Sequence, residues 1–463
     1  MNKICRLQIV AAFIFIVIFS NISLAAEPDI TGIWMGTLKV NTNGIRIVFK
    51  ISKNAQGSLS ATMDSPDQGA TNIPISKVTF ENSKLLLEAQ NLRASYEGTL
   101  KPDGTFDGQW KQSGTYFPLS IKRTNEAPKV NRPQEPQKPY PYIVEEVTIQ
   151  NPEAKIKLAG TLTIPHSEKP CPAVILISGS GAEDRDETIF GHKPFWILAD
   201  YLTRKGIAVL RVDDRGVGGS TGSTADSTSE DFAGDVICEV NYLKTRKEID
   251  PAKIGLIGHS EGGIIAPMVA NKSNDVSFIV LLAGTGMNGE EILYLQNKLI
   301  LKNAGASDAA LAKQLDFLKE EFNILKNEKD EKVIEEKTRA LLAKQYGDNK
   351  EVIEKGMQQM LNPWFRYFLT YNPGPALEKV KCPVLALNGS LDLQVAPKEN
   401  LAAIESALKK GGNKNYTVKE LPGLNHLFQT AKTGSVSEYS QIEETISPDA
   451  LKIISDWILK QTK

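Results

Sequence analysis

Residues 254–263 read IGLIGHSEGG, an apolar run that ends in a serine with a glycine two places away on each side. Gly258, Ser260 and Gly262 fit the pattern Gly-x-Ser-x-Gly, and a plausible helix follows from Gly263 to Asn271. A serine at such a strand-to-helix corner has a strained backbone, and side chains at the flanking positions would collide with the neighbouring strand and helix. The stretch therefore predicts a corner that holds the Ser260 hydroxyl clear of a sheet.

Other nearly solid apolar runs predict further strands of the same sheet. They are residues 173–178, 207–212, 278–283 and 384–388, with a last strand-like run at 416–421. Strands that are buried on both faces and separated by helical stretches are typical of a parallel sheet covered by helices. Two earlier segments, 144–150 and 156–164, predict an antiparallel lead-in to this sheet.

About a hundred residues between the runs at 278–283 and 384–388 follow a different pattern. Apolar residues alternate there at spacings of four and three among charged residues: Leu311, Leu315, Leu318, Phe322 and Leu325. This spacing is typical of an amphipathic helix, and the segment is too short for a sustained coiled coil. We expect a helical cap over the sheet, at about residues 286–375.

The chain before residue 142 has a different pattern of apolar and turn-forming residues. Residues 27–125 contain short alternating runs and Asn-Gly and Asp-Gly turns, which predict a small antiparallel all-β domain with a structural role, or else one that binds sugar or cell wall. Its tryptophans in TGIWMGTL and DGTFDGQW are expected in the core. Residues 126–141, EAPKVNRPQEPQKPYP, contain five prolines and predict a stiff, exposed linker to a domain at 142–463.

The first 26 residues predict a cleaved secretory signal peptide. Lys3 and Arg6 precede eleven apolar residues at 9–19, and small residues follow up to Ala25 and Ala26, where cleavage is expected. The apolar run is shorter than the roughly 18 residues of a membrane-spanning helix, which disfavours an uncleaved anchor. We expect a secreted or periplasmic protein with no stable membrane insertion after cleavage.

Charge and cysteine content exclude some classes of function. With 54 basic and 55 acidic residues, the chain has no charge excess that would attract nucleic acid. Cys171, Cys238 and Cys382 remain after signal cleavage, an odd number that predicts buried or free thiols. The glycines of DDRGVGGSTG do not have the Gly-x-Gly-x-x-Gly spacing of a dinucleotide-binding loop.

A serine hydroxyl needs a base and an orienting acid before it can act as a nucleophile. Of the four histidines, His426 is the preferred base because it follows the last strand-like run and should lie at the strand ends that carry the serine. His192 is a weaker rival in a loop, and His166 lies in a turn. His259 neighbours the serine and should project on the opposite side of the corner.

Asp392 is the candidate acid, because it follows the run at 384–388 and gives the chain order Ser, Asp, His. The candidate oxyanion donors are the backbone N–H groups of Glu261 and Ser180, with Gly181 as the alternative to Ser180. The charged residues 184–186 either brace the loop that contains Ser180 or are solvated.

Residues 142–463 resemble an α/β-hydrolase, and specifically the secreted bacterial esterases of the serine aminopeptidase S33-like group. The matching stretches are GSGAEDRDE, LRVDDRGVGGSTG, GHSEGG, NGSLDLQV and GLNHLFQTAKTG. The resemblance implies a mostly parallel sheet, a small-molecule carboxylic ester of short acyl chain as substrate, and no metal or organic cofactor. In one departure, Ser178-Gly179 stands where that group usually has His-Gly.

Two other functions stay open from the sequence. A serine peptidase or aminopeptidase on the same scaffold would share the acyl-enzyme chemistry and differ in the leaving group. A non-catalytic binding protein with a relic site is less favoured, because Ser260, Asp392 and His426 are all present.

Overall fold

The computed structural model describes residues 28–40, 43–54, 57–112, 114–128, 131–347 and 349–463. The predicted signal peptide at 1–26 lies outside the described residues. The chain divides into two compact units, one reaching as far as Asp64 and including Asn72–Ala127, the other made of Ser65–Thr71 and Pro128–Lys463. In the described ranges, no helix combines the length and the apolar character needed to cross a membrane.

Nine antiparallel strands lie between Gly32 and Thr124 among the described residues. They are β1 (Gly32–Val40), β2 (Asn43–Lys53), β3 (Leu59–Ser65), β4 (Ala70–Pro74), β5 (Lys77–Glu81), β6 (Lys84–Ala89), β7 (Ala94–Leu100), β8 (Phe106–Gln112) and β9 (Thr115–Thr124). Their order in the sheet is β4-β3-β2-β1-β9-β8-β7-β6-β5. This confirms the predicted antiparallel all-β fold.

Alternating residues of these strands form the core of the smaller unit. Trp34 and Trp110 are buried, as predicted, and the Trp34 ring meets the Phe106 ring edge-on at 4.8 Å between centroids. The turn between β7 and β8 contains Gly104 at φ +80°, and Asp103 accepts hydrogen bonds from Thr105. These two turn residues supply the positive φ and the local hydrogen bond that a tight turn needs.

The larger unit contains a second sheet, whose eight strands all lie within the described residues. They are β10 (Tyr142–Asn151), β11 (Ile156–Pro165), β12 (Cys171–Ile177), β13 (Ala208–Val212), β14 (Ile249–His259), β15 (Phe278–Leu282), β16 (Val384–Gly389) and β17 (Tyr416–Leu421). Their order is β10-β11-β13-β12-β14-β15-β16-β17. The pairings of β11 with β10 and with β13 are antiparallel, and the other pairings of this sheet are parallel. The predicted lead-in and parallel strands are confirmed.

Helices cover both faces of this sheet. They are α1 (Pro194–Arg204), α2 (Ser229–Lys244), α3 (Gly262–Lys272), α10 (Pro397–Lys410) and α11 (Pro448–Gln461). Along β12, Ile175 belongs to the hydrophobic cluster that contains residues of α2, α3 and α10, whereas Val174 and Leu176 belong to the cluster that contains residues of α1 and α11. Successive side chains of a strand point to opposite faces, so each solid apolar run reflects burial on both sides.

Six helices lie between β15 and β16 in the part of this segment that the structure describes. They are α4 (Gly289–Asn303), α5 (Asp308–Asn327), α6 (Glu331–Tyr346), α7 (Lys350–Met360), α8 (Pro363–Thr370) and α9 (Gly374–Lys379). The predicted amphipathic face of α5 contributes Leu318, Phe322 and Leu325 to a separate hydrophobic cluster of these helices. The helical nature of the insertion is thereby confirmed.

Candidate active site

Ser260 occupies the sharp corner between β14 and α3. Its φ is +50°, in the left-handed region that non-glycine residues seldom adopt, and its N–H donates to the carbonyl of Leu282 at 2.9 Å. A Cβ atom added to Gly258 would lie 2.0 Å from the Gly262 carbonyl oxygen, and one added to Gly262 would lie 2.2 Å from that of Ile177. Close backbone approach therefore requires both glycines, as the sequence predicted.

Asp392 and His426 lie together beyond the ends of β16 and β17. Asp392 Oδ2 is 2.8 Å from His426 Nδ1, and Oδ1 accepts the backbone N–H groups of Gln394 and Val395 at 2.8 and 2.9 Å. Both side chains are buried. Because the carboxylate accepts at Nδ1, the neutral imidazole presents Nε2 as its proton acceptor.

The loop that carries His426 is held by local hydrogen bonds. Asn425 Oδ1 accepts the N–H groups of Leu427 and Gln429 at 3.0 and 2.9 Å, and Leu424 forms a bridge with Thr430. The buried Asn425 side chain therefore closes the loop on both sides of the histidine.

His426 lies beside the corner through contact with His259. His259 Nε2 is 3.0 Å from the His426 carbonyl oxygen, and the two ring centroids are 4.9 Å apart. In the described part of the chain, no hydrogen bond joins Ser260 Oγ to His426, and His426 Nε2 has no protein partner. The structure thus joins Asp392 to His426 and places His426 against His259, the residue that precedes Ser260.

The candidate oxyanion donors lie on two neighbouring segments. Glu261 caps the N-terminus of α3, and Ser180 and Gly181 follow β12, which pairs in parallel with β14. A Cβ atom on Gly179 would lie 3.5 Å from Ser260 Cβ, so the loop after β12 adjoins the serine. Within the described residues, no internal hydrogen bond uses the N–H of Glu261, Ser180 or Gly181.

Ionic and polar contacts brace the loop after β12. Two of its charged residues form ion pairs, Arg185 with Asp213 and Asp186 with Arg211. Ser178 Oγ donates to Asp214 Oδ1 at 2.9 Å, and burial raises the pKa of Asp214 to about 7. Of the two sequence interpretations of charges 184–186, the structure supports bracing for Arg185 and Asp186. Ser178, which stands where the resembling group usually has histidine, braces the same loop through its hydrogen bond to Asp214.

His259 and Glu187 form a buried pair that sequence reasoning missed. His259 Nδ1 is 2.8 Å from Glu187 Oε1, which also accepts the Gly179 N–H at 2.8 Å. Burial lowers the pKa of His259, but the charge and hydrogen bond of Glu187 outweigh that effect and raise it to about 9. The resulting imidazolium links the loop after β12 to the carbonyl of His426.

The Glu261 side chain makes a second set of contacts that sequence reasoning missed. Its Oε1 accepts hydrogen bonds from Ser229 Oγ at 2.5 Å and from Trp364 Nε1 at 2.7 Å. Burial raises the pKa of this carboxyl to about 7. The residue after the serine is therefore bonded to α2 and to α8 of the helical insertion.

The remaining histidines have other surroundings. His192 is buried, with Nδ1 2.8 Å from Thr445 Oγ1 and Nε2 2.8 Å from the Tyr439 carbonyl, and burial lowers its pKa to about 4. His166 is exposed beyond β11. Cys171, Cys238 and Cys382 are free, as predicted. Among described residues, no group of three or more His, Cys, Asp or Glu side chains is arranged to hold a metal ion.

Comparison with known proteins identifies several similar chains. Esterase EstD from Thermotoga maritima is 26% identical over 358 residues, which cover 77% of this chain and 76% of that protein. Est1E from Butyrivibrio proteoclasticus, solved with ferulic acid, is 18% identical over 68% of this chain and 98% of its own, with a TM-score of 0.41. An esterase from Pyrococcus furiosus is 15% identical over 73% and 100%, with a TM-score of 0.43.

A family model described as serine aminopeptidase, S33 matches residues 195–430. The match includes Ser260, Asp392 and His426 and begins after Ser180 and Gly181. Because it spans just over half of the chain, this protein belongs to the serine aminopeptidase S33 family of hydrolases.

Proposed function

We propose that this protein is a serine hydrolase that cleaves carboxylic esters of short acyl chains through an acyl-enzyme. The observation that carries the proposal is the 2.8 Å contact between Asp392 and His426 beside the strained corner at Ser260. An aspartate that fixes the tautomer of an imidazole near a serine is the arrangement that activates a serine hydroxyl. The relative from Thermotoga maritima, named an esterase, supports the choice of ester.

The first half of the reaction forms the acyl-enzyme. Ser260 Oγ attacks the ester carbonyl carbon while His426 Nε2 removes its proton, and Asp392 stabilises the imidazolium. The N–H groups of Glu261 and Ser180, or Gly181 in place of Ser180, donate to the tetrahedral oxyanion. His426 then protonates the alcohol oxygen as the bond from carbon to that oxygen breaks.

Water completes the cycle. His426 Nε2 takes a proton from the water that attacks the acyl carbonyl, and the same N–H groups bind the second oxyanion. His426 returns the proton to Ser260 Oγ as the acid leaves. Apart from the attacking water, the groups that act as acid, base and nucleophile in this scheme are residues of the chain.

Peptide hydrolysis is the second candidate, favoured by the description of the family model as an aminopeptidase. An amine leaving group needs the same proton from His426, so the triad does not separate the two reactions. Parallel assays with p-nitrophenyl esters and aminoacyl p-nitroanilides separate them. We expect ester turnover to dominate, and preference for the anilides would replace the esterase proposal by the peptidase one.

The decisive variant is Ser260→Ala, assayed with p-nitrophenyl acetate. Loss of the nucleophile should lower kcat by about 10⁶-fold, the scale measured for other serine triads, with the fold retained. Ser273→Ala, at the other end of α3, is the matched control and should keep wild-type turnover. Undiminished turnover by Ser260→Ala would contradict the proposal.

The proposal extends to the organisation of the chain. It comprises a signal peptide at 1–26 with secretion or periplasmic export, an antiparallel β domain at 27–125, a linker at 126–141, and a catalytic domain at 142–463 with a cap at about 286–375. Mass spectrometry of the exported protein tests the cleavage site, which we place near Ala25 and Ala26.

A further inference from the structure

A cavity of about 320 Å³ lies between the loop after β12 and the helical insertion. Small-molecule sites have volumes of this order, about 300 Å³ and above. Its lining includes Ser180, Gly181 and Ala182 from the loop, Phe232 from α2, and Trp364 and Phe365 from α8. The cavity therefore combines candidate oxyanion donors with three aromatic side chains, and the polar residues Thr224, Gln359 and Asn362 also line it.

The position of His426 decides which part of an ester enters this cavity. His426 protonates the leaving alcohol, so that alcohol must lie beside the loop at 424–430. None of the residues that line the cavity comes from that loop, whereas Ser180 and Gly181 do line it. We therefore consider an ester whose carbonyl oxygen accepts the Ser180 N–H and whose alcohol part faces His426. The acyl group of this ester points toward the cavity.

Trp364 is held firmly in the cavity wall. Its Nε1–H donates to Glu261 Oε1 at 2.7 Å, and its ring stacks on Phe368 with centroids 5.3 Å apart. Asn362 Oδ1 caps α8 by accepting the backbone N–H of Trp364 at 2.8 Å. Because these contacts act on the ring and on the backbone, the indole cannot move away without breaking its hydrogen bond to Glu261.

We infer that the cavity is the acyl site of the proposed esterase, that Trp364 sets the length of acyl chain accepted, and that Glu261 acts through Trp364 as a positioning residue. The substrate class is an ester of an aliphatic acid longer than acetate, in the range from butyrate to octanoate. The inference rests on the proposed function and goes beyond it by naming the acyl group and the residues that select it.

The test is the kcat/KM of purified full-length protein for p-nitrophenyl acetate, butyrate, hexanoate, octanoate and decanoate. We expect wild type to favour hexanoate over acetate by about tenfold or more, since each methylene buried in an apolar pocket contributes up to that scale. Trp364→Ala should move the optimum to longer chains. Trp196→Ala, the same change in α1 outside the cavity, should keep the wild-type profile.

A cavity-filling variant tests the inference independently, in case Trp364→Ala does not fold. Ala225 lies in an exposed loop and lines the cavity, so Ala225→Trp adds bulk there without disturbing the core. It should lower the ratio of kcat/KM for hexanoate to kcat/KM for acetate by about tenfold or more. Retention of hexanoate turnover by a folded Ala225→Trp overturns the inference.

The positioning role of Glu261 is tested by substrate preference, which a general loss of stability would not change. Glu261→Ala should change the ratio of hexanoate to acetate kcat/KM, and Glu261→Gln should restore it, because the amide oxygen still accepts the indole N–H. In a Trp364→Phe background, which has no indole N–H, Glu261→Ala should leave the ratio unchanged. An equal change in both backgrounds overturns the positioning role.

The two proposals fail in different ways. If wild type hydrolyses esters, Ser260→Ala does not, and no cavity variant changes the chain-length profile, the acyl-site inference is overturned and the esterase proposal stands. If wild type hydrolyses none of the esters, the proposed function fails and the inference fails with it.

Discussion

His259 Nδ1 lies 2.8 Å from Glu187 Oε1, and the other ring nitrogen of His259 lies 3.0 Å from the His426 carbonyl. One buried imidazolium thus joins the loop that carries the candidate oxyanion donors to the loop that carries the candidate base. His259 also interacts electrostatically with Glu183 and Asp392, and its ring lies tilted against that of His426, with the centroids 4.9 Å apart.

This pair predicts a pH dependence of stability. The folded-state pKa of His259 is about 9, above the ordinary value of about 6.5, so the pair's contribution is fully present below pH 6.5 and is lost as pH rises through 9. Urea unfolding of wild type across this range should show the loss. Glu187→Gln should remove this dependence, and the exposed Glu168→Gln should keep it. A Glu187→Gln curve parallel to wild type would contradict the assignment.

Glu187→Ala should also destabilise the protein at pH 6. It leaves a buried imidazolium without its partner, and breaking such a pair typically costs about 3 kcal/mol or more. The amide oxygen of Glu187→Gln can still accept the Gly179 N–H. The difference between the free energies of unfolding of Glu187→Ala and Glu187→Gln therefore separates the contribution of the charge from that of the hydrogen bond. A loss below about 0.5 kcal/mol, the range of ordinary surface substitutions, would show that the pair is not coupled to the fold.

Asp392→Asn should lower kcat by about 10⁴-fold with little change in the fold, because an amide at this place favours the wrong imidazole tautomer. Steady-state kinetics with p-nitrophenyl esters measure the effect. Asp449→Asn, the same change at an exposed position in the first turn of α11, is the matched control and should leave kcat unchanged. Near-normal kcat in Asp392→Asn would remove Asp392 from the proposed triad.

Gly262→Ala should prevent a stable native corner, because the added Cβ would lie 2.2 Å from the Ile177 carbonyl oxygen. Gly234→Ala is the control, since a Cβ there in α2 meets no atom within 4 Å and should stabilise the helix by about 1 kcal/mol. Thermal unfolding and soluble yield compare the two. Equal stability of both variants would refute the steric account of the corner.

His192 predicts a separate loss of stability in acid. Its folded-state pKa of about 4 lies below the ordinary 6.5, so its contribution is present above pH 6.5 and is lost as pH falls through 4. His192→Asn should show less acid destabilisation than wild type between these values, measured by denaturant midpoints. The exposed His166→Asn should behave as wild type does, and identical acid sensitivity in both variants would exclude His192 as the source.

The local features of the fold were predictable from the sequence. The corner at Ser260 depends on residues within a single pentapeptide, so Gly258 and Gly262 revealed it without knowledge of any partner. The continuous apolar runs predicted strands that are buried on both faces, and the spacing of four and three residues from Leu311 to Leu325 predicted the helical insertion. Asp392 and His426 could be paired because the ends of parallel strands share one edge of a sheet.

Contacts between distant side chains could be decided only by the tertiary structure. Glu187 and His259 are 72 residues apart, and Glu261 and Trp364 are 103 apart. In the sequence, Glu187 is one of several loop acids, and the aromatic residues around Trp364 read equally as core. Hydrophobic periodicity reports whether a residue is buried but not which distant group it meets, because that choice depends on how loops and inserted helices pack. The sequence by itself therefore determined the corner and the sheet, and only the packed chain decided what surrounds them.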